Sequence, residues 1–199
     1  MRARWLRERK RDYYYKKAKR EGYRSRAAYK LLQINEKYKV IKEGNVVIDL
    51  GAAPGGWSQV AKEFVGSNGF VLGIDLKEIV PVEGVEFIKG DITQKEVIDS
   101  VLAFRRRADV VIADLSPSMS GTYSVDHMRS VHLCDCALSF AEKILEPKGN
   151  FVTKIFQGEL LKDYINKLKS KFEFVKIYVP EAKRKRSSEV YLVAKGFKG

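Results

Sequence analysis

Short apolar runs alternate with amphipathic stretches through most of this chain, a pattern that predicts strands separated by helices. Val46 to Leu50 (VVIDL), GFVLGIDL ending at Asp75, Val85 to Lys89, Ala108 to Ala113 and Asn150 to Ile155 read as five short buried strands. Between and before them, helical periodicity covers Ser25 to Lys37, Trp57 to Val65, Gln94 to Phe104, His127 to Leu145 and Glu159 to Ser170. Ser25 is the expected N-cap of the first helix, and Gly66 ends the second. Two late strands, Phe174 to Val179 and Glu189 to Ala194, follow. Strands alternating with helices predict an α/β fold: a mostly parallel seven-stranded sheet covered on both faces, with the closing strand pair as an antiparallel edge.

Composition narrows the class. At 199 residues and 45% hydrophobic content the chain suits one domain with a sizeable core. No apolar run reaches the roughly 18 residues of a membrane-spanning helix, and the N-terminus is too charged for a secretory signal. A soluble cytoplasmic protein without membrane partners is expected. Cys134 and Cys136 stand two apart on a predicted helix, so they point to different faces. Even with His127 and His132 nearby, one helix cannot converge four ligands, and no metal is expected. Both thiols read as small buried residues, reduced in a cytoplasm.

Charge is unevenly spread. The first 30 residues carry thirteen Lys or Arg against three acids, a net +10 of the chain's +13. Trp5, Tyr13, Tyr14, Tyr15, Tyr23 and Tyr29 are interleaved with them, pairing phosphate neutralisers with flat rings on which unpaired bases stack. Residues 1–24 therefore read as a basic, aromatic RNA-facing arm, and 25–199 as a single domain. A second basic run, Lys183, Arg184, Lys185 and Arg186, extends the same surface.

The candidate chemistry centres on VVIDLGAAPGGW, Val46 to Trp57, a strand running into a Gly-rich turn and then a helix. Gly51, Gly55 and Gly56 allow positive φ and close ligand approach, and the helix start offers unpaired N–H groups. Ala53 stands where the dinucleotide fingerprint places its second Gly, which favours a nucleoside without a pyrophosphate. Ligands of such sheets bind outside the carboxyl ends of the strands. Asp75 ends strand two, placed for both ribose hydroxyls of a nucleoside; Asp91 ends strand three, within reach of an adenine amino group; Asp114 ends strand four beside the turn.

Together with RSRAAYKL (Arg24 to Leu31), ADLSPSMSGT (Ala113 to Thr122), FVTKIFQGE (Phe151 to Glu159) and RSSEVYLVA (Arg186 to Ala194), that segment resembles the FtsJ/RlmE family of ribosomal RNA ribose 2′-O-methyltransferases, in unbroken motif order from about residue 20 to the end. The resemblance implies a Rossmann-like methyltransferase fold that uses S-adenosylmethionine. It implies cofactor contacts at Gly51, Gly55, Trp57, Asp75, Asp91 and Asp114, and a Lys-Asp-Lys-Glu tetrad at Lys30, Asp114, Lys154 and Glu189. The implied target is the 2′-hydroxyl of a uridine in the A-loop of large-subunit ribosomal RNA, free or in the large subunit. A monomer is expected, because no long apolar stripe is left without a place in the core.

The chemistry makes sense of these residue types. A ribose hydroxyl is a poor nucleophile, whereas a methyl on a sulfonium is already activated, so the protein has to align three atoms and handle one proton. Lys154 either accepts that proton as a neutral amine or, charged, orients an oxygen lone pair. Ser116, Pro117 and Gly121 build a loop after Asp114 that walls the target nucleotide. Arg24 and Arg26 are expected on phosphates flanking it. The alternatives are a transfer RNA ribose methyltransferase and a non-catalytic RNA-binding ribosome-assembly factor. A nicotinamide oxidoreductase shares the fold but lacks the three-Gly fingerprint and has no use for two lysines.

Overall fold

Period-two alternation along the strands decides which helix covers which face. The computed structural model describes residues 12–104, 107–184 and 186–199. Strands β1 (Val46–Leu50), β2 (Phe70–Asp75), β3 (Glu86–Lys89), β4 (Ala108–Ala113), β5 (Leu145–Phe156), β6 (Phe172–Tyr178) and β7 (Glu189–Phe197) form one sheet in the order β3-β2-β1-β4-β5-β7-β6. The first five pair in parallel; β7 runs antiparallel to both β5 and β6. This is the mostly parallel sheet with an antiparallel edge that the alternation of elements predicted, and the Rossmann-like arrangement that the resemblance implied. Strand order reverses between β1 and β4, so the crevice at their carboxyl ends is the natural ligand site.

The helices are α1 (Tyr13–Arg20), α2 (Ala28–Tyr38), α3 (Gly56–Val65), α4 (Lys95–Phe104), α5 (Tyr123–Ile144) and α6 (Leu161–Lys171). Ile48 and Leu50 of β1 and Val111 and Ala113 of β4 pack with apolar residues of α4, α5 and α6, such as Val97, Leu138 and Leu168. The intervening Val47, Val110 and Ile112 pack instead with Leu31 and Ile34 of α2 and Trp57 and Val60 of α3. Each central strand is thus buried on both sides, which its near-continuous apolar sequence required.

Three local expectations are corrected. Helix α2 begins at Ala28, and its N-terminus makes no side-chain cap; Ser25 contributes its carbonyl to Ala28 N–H instead of its hydroxyl. Helix α5 begins at Tyr123, four residues before the apolar periodicity, because its first turn is held from the side. The Asp126 carboxylate accepts from Ser120 and Gly121 N–H and from the Ser120 hydroxyl, while Tyr123, Val125 and Met128 stay exposed and carry no hydrophobic signal. Strand β5 starts at Leu145, not Asn150. The step from Ala108 to Val110 on β4 is matched by the longer step from Leu145 to Asn150 on β5, and the surplus bulges around Pro147 and Gly149.

Helix α1 lies within residues read as an arm. Asp12 caps it through Tyr15 N–H at 3.1 Å and pairs with Arg26, while Ala18 packs with Tyr29 and Ala182. Residues 1–11 of the arm fall outside the described residues. Among the described residues no helix is long and apolar enough to cross a membrane.

Candidate active site

Strand register builds the site. In the β4–β5 ladder Ala113 stands opposite Thr153, so Asp114 emerges beside Lys154. In the β5–β7 ladder Lys154 pairs with Tyr191 and Phe156 with Glu189. Helix α2, packed on the same face as β7, delivers Lys30 to Glu189 at 2.8 Å. Lys154 Nζ lies 3.1 Å from Asp114 Oδ1 and 3.0 Å from the Asp114 carbonyl oxygen, and also contacts Ser116 Oγ. Tyr191 links the two pairs: its hydroxyl donates to Asp114 Oδ1 at 2.8 Å, and Lys30 Nζ stands 5.5 Å from its ring centroid. All four residues of the expected tetrad therefore line one cleft. Burial pushes the Asp114 carboxyl up, but the charges of Lys154 and Lys30 and the Tyr191 hydroxyl outweigh it and hold the group below the ordinary carboxylate range. Burial, followed by the Asp114 and Glu189 charges, raises the Tyr191 phenol well above its usual value, so it stays a donor.

The cleft encloses about 1230 Å³, more than the 300 to 1,000 Å³ or so typical of a single small ligand. Gly51, Trp57, Asp75, Asp91 and Asp114 line it. Gly51 takes φ +75°, and a Cβ there would come within 2.6 Å of the Leu115 side chain, so the turn accepts only glycine without rearrangement. Asp75 is oriented by Ala53 N–H at 2.9 Å and Lys77 N–H at 2.8 Å. Asp91 is held below its ordinary value by the backbone and then the hydroxyl of Thr93. Gly55, at φ +104°, sits behind the wall beside Arg24, outside the lining. Trp57 donates its indole N–H to Ala27 O at 2.8 Å and is buried.

The basic residues divide. Arg24 donates to the carbonyls of Pro54, Val80 and Pro81, bridging the Gly-rich turn to the loop after β2. Arg26 is taken up by Asp12 and by the Ala182 carbonyl. Lys183 folds back on Ser187 O at 2.5 Å. Arg184 and Arg186 are exposed and line the rim of the cleft, whereas Lys185 lies outside the described residues. Cys134 is buried and its thiol pushed up to about 12 by desolvation. Cys136 departs from expectation: it is half-buried on the cleft wall, because α5 turns it toward the opening. Among the described residues no group of three or more His, Cys, Asp or Glu could hold a metal ion.

Comparison with known proteins decides the family. The profile of the FtsJ-like methyltransferase family matches residues 23–197. The chain belongs to the FtsJ-like methyltransferases. It is 54% identical over 190 residues to the ribosomal RNA large subunit methyltransferase E of Methanosarcina acetivorans, covering 94% of this chain and 69% of that protein. Against the same enzyme of Methanocaldococcus jannaschii it is 50% identical, over 98% of this chain and 82% of the relative. A crystal structure of a Plasmodium falciparum protein described as a ribosomal RNA methyltransferase superposes with TM-score 0.81 at 30% identity, covering 89% of this chain and all of that one.

Two buried residues behind the lining of this FtsJ-like site were not anticipated. Tyr191 was legible, since residues two apart on a strand share a face and Glu189 was already a candidate. Asp49 was read only as the polar residue of a strand. It is fully buried, accepts from the Ser58 hydroxyl at 2.6 Å, and leaves Oδ1 without a partner. Its burial follows from a strand read as covered on both faces; what the sequence does not carry is the partner its carboxylate finds, Ser58.

Proposed function

We propose that this chain transfers the methyl group of S-adenosylmethionine to the ribose 2′-hydroxyl of a uridine in large-subunit ribosomal RNA, in the A-loop of the peptidyl-transferase centre. The observation that carries the reading is the Lys30–Glu189 and Lys154–Asp114 pairing in one cleft, joined through Tyr191. The names of the archaeal relatives support the ribosomal substrate. Three carboxylates around the cleft, Asp75, Asp91 and Asp114, suit a cationic nucleoside, and its volume admits a target nucleotide as well. The cofactor supplies an activated methyl on a positively charged sulfur.

The residues of the chain would do the rest. Asp75 would hold the ribose hydroxyls of the adenosyl group and Asp91 its amino group, with the Gly51 turn allowing close approach. Lys154 and Asp114 would fix the target oxygen for attack. Methylation of O2′ would release the hydroxyl proton. Lys154 takes that proton as a neutral amine or, charged, orients the oxygen while solvent takes it. Lys30 balances Glu189 at the far wall. Arg184 and Arg186 meet backbone phosphates at the rim, and the basic face of α1 extends that surface.

Incubating the protein with methyl-labelled S-adenosylmethionine and total ribosomal RNA, then mapping the product by nuclease digestion and mass spectrometry, tests this. Ribose-linked label at one uridine, lost by about a hundredfold or more in Lys154→Ala, is expected, in line with the roughly 10²–10⁴-fold that a positioned proton-handling group contributes. Label on a base, or none on any RNA, would overturn it.

A further inference from the structure

A charged lysine has three N–H donors, and three acceptors surround Lys154 Nζ: Asp114 Oδ1, the Asp114 carbonyl oxygen and Ser116 Oγ. The set is complete, so no donor is left for a substrate oxygen. One acceptor has to give way before Lys154 can touch the target. The three are not equally held. Both Asp114 atoms belong to a largely buried residue at the end of β4, and Oδ1 also receives the Tyr191 hydroxyl. Ser116 is exposed, lines the cleft, and makes no other side-chain hydrogen bond among the described residues. Lys154 itself is 5% exposed, and it and Ser116 line the same cleft.

We propose that the Ser116 hydroxyl is a placeholder for the target ribose oxygen: it satisfies the third N–H of Lys154 in the free enzyme and yields it to O2′ when RNA docks. A serine side chain leaves by rotation about χ1 alone, at little steric cost on an exposed loop. The exchange keeps a buried lysine fully hydrogen-bonded before and after docking, which avoids the penalty of an unsatisfied buried donor. A strand with no hydroxyl at that point offers the amine nothing and leaves the serine contact in place. Ser116 is thus a positioning residue, which keeps Lys154 ready for a ribose hydroxyl. This rests on the reading of the site as a ribose methyltransferase.

The test is a cycle between Ser116 and the substrate hydroxyl. Dissociation constants are measured, with S-adenosylhomocysteine present, for the ribosomal RNA fragment that the native protein methylates and for the same fragment with 2′-deoxyribose at the target. Ser116→Ala is expected to bind the hydroxyl-bearing RNA three- to tenfold more tightly than native, and the deoxy RNA no more tightly. Ser116→Thr, which keeps the hydroxyl, is expected to bind as native does. Unchanged or weaker binding of the hydroxyl-bearing RNA by Ser116→Ala would overturn the proposal, as would an equal gain on both RNAs. Absence of a ribose-methylated product from the native protein is seen before any variant is compared; it removes the functional reading, and this inference with it.

Discussion

At the scale of single residues, the four buried charges of the tetrad positions are paired, whereas the buried Asp49 faces no cation among the described residues. Lys30 pairs with Glu189 and Lys154 with Asp114, and removing one partner of such a buried pair costs about 3–5 kcal/mol. Asp49 has only the Ser58 hydroxyl and backbone, and burial, reinforced by the Asp114 and Asp75 charges, pushes its carboxyl up to about 7. An unfolded Asp titrates near ~3.9, so between about pH 4 and 7 the native state holds a proton that the unfolded chain has lost. Stability from Asp49 is full below that window and falls as pH rises through it, by a few kcal/mol at ~1.4 kcal/mol per pH unit of displacement. Asp49→Asn is expected to remove this slope. Urea unfolding at pH 4.5 and 7.5 checks it: the native protein should lose stability relative to the variant at the higher pH, and parallel profiles would show that Asp49 ionises freely.

Among the elements, α1 depends most on its surroundings. Eight residues are too few for a stable isolated helix. What holds α1 is the Asp12 cap, the Asp12–Arg26 pair and the packing of Ala18 against Tyr29 and Ala182. Ala18→Asp buries a carboxylate in that contact and is expected to release the helix while leaving the sheet intact. Hydrogen exchange should show amides of residues 16–20 losing protection by tenfold or more, with those of β1 and β4 unchanged. Equal loss in both would mean that α1 is part of the cooperative core. The sheet was legible in the sequence because period-two and continuous apolar runs are local signals. Helix α1 was not, since Tyr13, Tyr14 and Tyr15 followed by lysines carry no apolar stripe, and the partner that orders them, Ala182, is remote in sequence.

For the molecule as a whole, a net charge of +13 supports binding to a polyanion, and position refines that expectation. Arg24 and Arg26 are engaged by the protein itself, whereas Arg184 and Arg186 are exposed at the cleft rim. Each of Arg184→Ala and Arg186→Ala is expected to lower the salt dependence of RNA affinity by about one unit in the log–log slope, leaving affinity for S-adenosylhomocysteine unchanged. A titration series in potassium chloride measures this, and an unaltered slope would place the RNA elsewhere. The sequence by itself determined the fold class, the Gly-rich turn and the three strand-terminal carboxylates, because these depend on neighbours in the chain, and motif order singled out Lys30, Asp114, Lys154 and Glu189 as candidates. The tertiary structure alone decided that Lys30 meets Glu189, that Tyr191 joins the two pairs, that Arg26 is consumed internally, and that Ser116 completes the shell of Lys154. Those contacts join residues far apart in the chain, and strand register and helix docking, which no local pattern encodes, bring them within hydrogen-bonding distance.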